Sequence, residues 1–282
     1  MVMIKIVTDS TCDLPEEMLK KLDIHVVPLT IQANGESYLD GVDLSPEEFV
    51  DLLAISNDVP KSSQPSVGSF QELYDQLKGE DPEVEILSIH MTAKMSGTFR
   101  SAELAASQSD ANVLVIDSEF ISGALAFQVE EAAQMAKDGA TMGAILTRMQ
   151  EVRDQSHLFI MVDTLDYLVK GGRIGKGKAL LGSLLKVKPL ASLDNGEYTP
   201  IKNMRTHKQV IEYLTDGFAK ATKGKSVKKV SISHIEAEGL AHRLLDSLKS
   251  IAGNFPHAIN ITSPIISTHT GPGAIALMYY TD

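Results

Sequence analysis

The chain has 282 residues, 43% hydrophobic and 22% charged, with a formal net charge of -11. That apolar content suffices for a sizeable core and excludes a disordered chain, while the acidic balance argues against a surface built to neutralise nucleic-acid phosphates or anionic lipid headgroups. The single cysteine, Cys12, has no intrachain partner for a disulfide, which suits a reducing, cytoplasmic compartment. The opening MVMIKIVTDS is broken by Lys5 and lacks the apolar run and small-residue cleavage site of a secretory leader, so it reads as a strand at Lys5–Thr8. Nowhere does a run of about 18 apolar residues occur, so no stable membrane insertion is expected. Further strands are predicted at His25–Ile31, Val84–His90, Val113–Asp117 and Leu158–Val162, each rich in Val, Ile or Leu and followed by turn residues.

Amphipathic helices fall between these strands. SPEEFVDLLA opens on Ser45, Pro46 and Glu48, the spacing of a capping box with proline at the first helical position. FQELYDQLKG stops at Gly79, and SGALAFQVEEAAQMAKDG at Gly139. The alternation predicts an α/β domain with a mainly parallel sheet covered by helices on both faces, over residues 1–160. The texture then changes. VKPLASLDNGEYTPIKN reads as a hairpin turning at Asp194-Asn195-Gly196. A helix at Thr206–Ala221, a strand at Lys229–His234, a helix at Glu236–Ile251 and a last strand at Pro264–His269 complete a second, α+β domain over 161–282, with a mixed or antiparallel sheet.

Several motifs carry polar chemistry. DSTCDLP, Asp9–Pro15, follows the first strand at the sheet edge where α/β folds bind ligands, although Ser10, Thr11 and Asp13 also suit a helix cap. VPKSSQPSVGSF places Ser62 and Ser63 ahead of Ser66 and a helix, and MTAKMSGTFRSAELAA places Ser96, Gly97 and Thr98 where another helix begins. Two hydroxyl-rich loops leading into helix N-termini can converge into a pocket for a small anion. Gly172, Gly177 and Lys178 fit a phosphate-binding loop, but Ala179 replaces its Ser or Thr and the helical TLDYLVK stands where a strand should. HTGPGAIA reads as a strand, a glycine turn and a short helix, with His269 at the entrance. No G-x-S-x-G or H-E-x-x-H motif occurs, and the histidines lack metal-ligand spacing. From the residues alone the chain is a two-domain α/β protein with a small-anion site, either a binder or an enzyme.

In order and spacing, TDSTCDLP, YLDGVDLSPEEF, PKSSQPSVGSF, MSGTFRSA, VIDSEFISGA, LDYLVKGGRIG, NGEYTPIKNMRT and STHTGPGA together resemble the DegV family of bacterial fatty-acid-binding proteins. The resemblance implies a protein without catalysis of its own and without metal or cofactor, which buries one long-chain fatty acid in an apolar tunnel near the domain interface. It implies carboxylate contacts from Ser62, Ser96 and His269, supported by Ser63, Gly97 and Thr98. It also implies a fatty acid kinase partner that turns the acid into acyl-phosphate for phospholipid synthesis, with Arg205 and Arg173 as candidate kinase contacts. Two positions depart from the family pattern: Ser62 stands for the usual threonine, and Thr92 with Ala93 where two serines are common. The competing readings are a phosphotransferase using Gly172–Lys178, a serine hydrolase pairing Ser96 with His269, and a sensor of acyl state.

Overall fold

The computed structural model of the chain describes residues 2–56, 58–180 and 187–282. Its first part runs β1 (Ile4–Asp9), α1 (Glu16–Leu22), β2 (Ile24–Val27), β3 (Thr30–Ala33), β4 (Glu36–Leu39), α2 (Pro46–Ile55), β5 (Lys61–Ser63) and α3 (Val67–Glu80). Next come β6 (Glu85–His90), α4 (Thr98–Gln108), β7 (Asn112–Asp117), α5 (Ser122–Lys137), α6 (Met142–Gln155), β8 (Ser156–Met161) and α7 (Asp166–Lys170). The chain closes with β9 (Lys188–Asp194), β10 (Glu197–Met204), α8 (His207–Ala221), β11 (Val227–His234), α9 (Glu238–Ala252), β12 (His257–Ile261), α10 (Pro264–Thr270) and β13 (Ile275–Thr281).

These elements make a two-domain α/β fold. The first sheet, β2-β1-β6-β7, is wholly parallel. Its strand residues alternate between two cores, as a sheet buried on both faces requires. Val7 and Ile86 pack with Phe70 and Tyr74 of α3 and Ala102 of α4, while Ile6, Leu87 and Ile89 pack with Leu125 and Val129 of α5. The second sheet, β10-β9-β8-β13-β11-β12, is mixed: only β11 and β12 run parallel. Its outer face carries α8 and α9 through Leu214, Phe218, Leu244 and Leu248. Helix α5 lies between the two sheets. Ala124 and Phe127 turn towards Leu158 and Met278 of the second sheet, so every residue from Ser122 to Val129 is buried, as expected of a helix that is apolar nearly all round. A third, small sheet, β4-β3-β5, carries Ser62 and Ser63 of VPKSSQPSVGSF on β5.

The predicted hairpin is present. Asn195 and Gly196 take φ of 49° and 79°, the type I′ turn of a two-residue loop. Its tip also docks on the first domain, where Thr92 Oγ1 donates to the Gly196 carbonyl at 3.0 Å. A Cβ on Gly196 would lie 2.1 Å from that hydroxyl. Gly196→Ala is therefore expected to cost about 1–3 kcal/mol, from left-handed backbone strain and the displaced contact, read as a lowered urea midpoint with unchanged slope; a shift within about 0.5 kcal/mol, the usual range for surface changes, would show the contact to be slack.

Three expectations need correction. His25–Ile31 is not one strand: Pro28 lacks the N–H a ladder needs, and the segment splits into β2 of the parallel sheet and β3 of the small one. Pro264–His269 is helix α10, not a strand. Consequently HTGPGAIA is a helix end, a glycine turn and then strand β13, the reverse of the expected order. The cap expected before α1 is also missing: Pro15 is its N-cap residue, with no side-chain bond, and Asp13 is used across the domains instead.

Candidate functional site

Strand β5 pairs antiparallel with β3, with Ser62 opposite Ile31. This register turns Ser62 towards α10, and its Oγ lies 2.7 Å from His269 Nε2. The other side of the imidazole rests against Gly171, where a Cβ would come within 2.1 Å of Nδ1. Nδ1 has no hydrogen-bond partner among the described residues. Arg173 braces the same corner, its guanidinium donating to the Met95 carbonyl at 2.9 Å and the Gly171 carbonyl at 2.7 Å. Burial, aided by the Arg173 charge, pushes the His269 pKa down to about 4, so the ring is neutral at pH 7. Helix α10 is aimed by Asp13, which accepts from Thr262 Oγ1 at 2.7 Å, from the Ser263 N–H at 2.9 Å, and from Ser122. Burial raises the Asp13 pKa against these hydrogen bonds.

Ser96 follows β6 and precedes Gly97, the N-cap residue of α4. Its Oγ accepts from the Thr98 N–H at 3.3 Å and lies 2.8 Å from Thr98 Oγ1. Gln64 ties the two serine segments together. Its amide donates to Ser101 Oγ at 2.9 Å and lies so close over Gly97 that a Cβ there would meet Oε1 at 2.0 Å. Gly97 thus makes room for the Gln64 amide.

Ser62, Ser96, His269 and Arg173 all line one cavity between the domains, the kind of concave site in which small molecules bind. Its walls are otherwise mainly apolar: Leu29, Met91 and Ile121 from one side, Leu158, Ile160 and Ile266 from the other. A further, smaller lobe continues past Ile121, Leu158, Ile160 and Ile266. At the opposite end Ser62, Arg173 and His269 form a wall shared with an outer polar groove. Other expected site residues do not reach the cavity. Ser63 is exposed, Thr98 is buried beside Ser96, and neither is among the lining residues. Arg205 is exposed between β10 and α8, where its backbone N–H donates to Gln209. Gln64 and Tyr198 line the cavity without having been singled out, and Thr11, weighed in DSTCDLP as a helix cap against a ligand contact, lines it as well.

The enzyme readings fare differently in geometry. His269 pairs with Ser62 rather than Ser96, and no carboxylate orients its Nδ1 among the described residues. A Ser–His–Asp array does occur elsewhere: Ser88 Oγ is 2.7 Å from His90 Nε2, and His90 Nδ1 is 3.0 Å from Asp9 Oδ2. All three side chains are fully buried, with His90 edge-on to the Phe70 ring at 5.0 Å and Ser88 held by Tyr74 OH at 2.8 Å. No substrate can reach that serine, so the array is a structural strut. The Gly172–Lys178 loop follows α7 and runs into a 3-10 turn, not from strand to helix, which is not the setting of a nucleotide-binding loop.

Residues 3–282 match the family model described as "Uncharacterised protein, DegV family". A DegV domain-containing protein of Staphylococcus aureus is 40% identical over 277 residues, 97% of each chain. One from Listeria monocytogenes is 39% identical over 280 residues, 99% of each. Among solved structures, the chain is similar to DegV of Bacillus subtilis, described as a fatty acid binding protein (TM-score 0.92, 30% identity, 100% of both chains). It is similar too to a DegV family protein of Thermus thermophilus described in terms of fatty acid binding (TM-score 0.90, 30% identity, 100% of both). A stearic acid-binding protein of Eubacterium ventriosum aligns at TM-score 0.88 and 26% identity over 99% of this chain and 98% of that one.

Proposed function

This chain belongs to the DegV family, and from that premise we propose that it binds one long-chain fatty acid and presents the carboxylate to a separate fatty acid kinase for conversion to acyl-phosphate. The observation that carries the reading is the apolar cavity ending at two hydroxyls and a neutral imidazole. Burying ~14 methylenes at ~0.8 kcal/mol each supplies roughly 11 kcal/mol gross, and association costs cancel a good part of it. Each hydroxyl bond to the carboxylate adds about 1.5–3 kcal/mol. The tail therefore sets affinity and the head group sets orientation.

The neutral His269 gives that head group a direction. With its hydrogen on Nε2, the ring donates to Ser62 Oγ and frees the Ser62 hydroxyl to donate to the carboxylate; Ser96 supplies a second neutral donor. Neutral donors leave more charge on the carboxylate oxygen than a bidentate arginine would, and Arg173 is turned towards two backbone carbonyls. The kinase contact itself is assigned to Arg205, exposed on the second domain, with Arg173 contributing at the mouth.

Native mass spectrometry of protein made in bacteria is expected to show the added mass of one long-chain fatty acid; a bare polypeptide mass under gentle conditions would count against the reading. Ser62→Ala with Ser96→Ala should retain a bound acid while lowering acyl-phosphate formation with a matching kinase by roughly ten- to a hundredfold, the loss of one or two bonds to a charged group. Unchanged turnover would remove both serines from the site. The Ser62–His269 pair is also the geometry of a nucleophile beside its base, so labelling of Ser62 or Ser96 by a fluorophosphonate would favour a hydrolase instead.

A further inference from the structure

Resting on the fatty-acid reading above, we infer that the groove outside Ser62 and His269 is a phosphate site, in which Lys61 and Lys170, with Arg173 behind them, hold the phosphoryl group of the acyl-phosphate. The cavity and the groove share Ser62, Arg173 and His269, so these side chains are a partition with an apolar space on one side and a polar one on the other. Lys61 reaches the groove from β5 and Lys170 from the end of α7, with Asp58 the one carboxylate in its lining among the described residues. Among the described residues none of the three cations has a carboxylate oxygen within 4.0 Å. In a chain of net charge -11, unpaired cations gathered round the cavity mouth are a local reversal of sign.

The chemistry requires such a place. In the transfer, a carboxylate oxygen attacks the terminal phosphorus of a nucleoside triphosphate. The bond from that phosphorus to its bridging oxygen breaks, and the electron pair leaves on the nucleoside diphosphate. The product carries a phosphate of charge near -2 where the acid carried -1. That group cannot be drawn into the apolar cavity, because burying an unpaired ion is costly, and the neutral His269 offers it no charge. With the acyl chain held in place, the new phosphate must lie beyond the partition, in the groove. Lysine, a compact charge on a flexible stem, suits an oxyanion that arrives only after reaction. The same lysines would let the protein hold product more tightly than substrate, sheltering a mixed anhydride from water until an acyl-accepting enzyme takes it.

The test compares two ligands on the full chain stripped of lipid: palmitate, and 2-oxoheptadecylphosphonate, in which a methylene replaces the bridging oxygen of palmitoyl phosphate. The wild-type protein should bind the phosphonate more tightly. Lys61→Ala with Lys170→Ala should weaken the phosphonate roughly ten- to a hundredfold, since solvent screens contacts made by exposed lysines below the value of buried charged bonds, while palmitate stays within about twofold, both lysines lying away from the core. Lys61→Arg with Lys170→Arg should restore phosphonate affinity. A double alanine variant that binds the phosphonate as wild type does, or that loses both ligands equally, overturns the phosphate site while leaving the fatty-acid reading intact. A wild-type protein that binds neither ligand overturns both.

Discussion

Replacing Asp9 by alanine should cost roughly 3–5 kcal/mol, the range for breaking a buried hydrogen-bonded charge. Asp9 is fully buried at the end of β1. One carboxylate oxygen accepts from the Thr11 N–H at 3.1 Å and the Thr11 hydroxyl at 2.6 Å, the other from the Met91 N–H at 2.9 Å and the His90 ring at 3.0 Å. Alanine leaves all of these donors in a dry interior, each worth about 1–3 kcal/mol when orphaned. Asn at this site can still accept the Thr11 pair but turns an N–H towards Met91 and His90, so Asp9→Asn should fall between alanine and wild type. The effect reaches function because Thr11 and Met91 both line the cavity. Chemical denaturation measures the stability term, and fatty-acid content after purification measures the second. Should Asp9→Ala remain within about 1 kcal/mol of wild type, an ordinary substitution effect, the strut has been misjudged.

That strut also marks the limit of what sequence reasoning could reach. Ser88 and His90 sit two apart on β6 and were visible only as polar residues in an apolar strand; their meeting with Asp9 depends on β1 pairing beside β6. Local signals served well where the physics is local. The capping box at Ser45 and Glu48 and the turn at Asn195-Gly196 are both present as expected. Periodicity and composition likewise sufficed for the parallel sheet, whose strands are short, apolar and separated by helices.

Helix α10 shows the opposite case. Ile265, Ile266, Thr268 and Thr270 have the side chains of a strand, yet the helix forms because tertiary contacts override propensity. Thr268 and Thr270 return their hydroxyls to the carbonyls of Pro264 and Ile266 at 2.9 and 3.1 Å, which accommodates threonine in a helix. Asp13, remote in sequence, takes the Ser263 N–H at its start. Ser263 followed by Pro264 was a legible start signal, and the β-branched run outweighed it. The consequence bears on the site: His269 reaches Ser62 from the last turn of a helix, not from the edge of a sheet. Ser62, Ser96 and His269, which the motif resemblance implies as carboxylate contacts, line one cavity, but the resemblance could not reveal Gln64 as the tie between their segments, because that needs α4 and the Gln64 segment in contact.

The lobe beyond Ile266 makes tail length the most exposed consequence of the fatty-acid reading. Ile266 is largely buried and lines both the main cavity and the lobe that continues from it. With the carboxylate at Ser62 and Ser96, the tail of a long acid must pass this residue to reach the inner lobe. Ile266→Trp puts an indole into that passage, and the surplus volume has nowhere else to go in a close-packed interior. The variant should purify without long-chain acid and should bind palmitate at least a hundredfold more weakly, since each methylene excluded forfeits about 0.8 kcal/mol. Octanoate, with eight fewer carbons to place beyond Ile266, should lose much less affinity than palmitate does. Overpacking of this kind typically costs about 1–3 kcal/mol of stability, so octanoate binding also serves as the check that the variant is folded. Palmitate binding that survives the tryptophan unchanged would place the tail elsewhere and would reverse the assigned direction of the ligand.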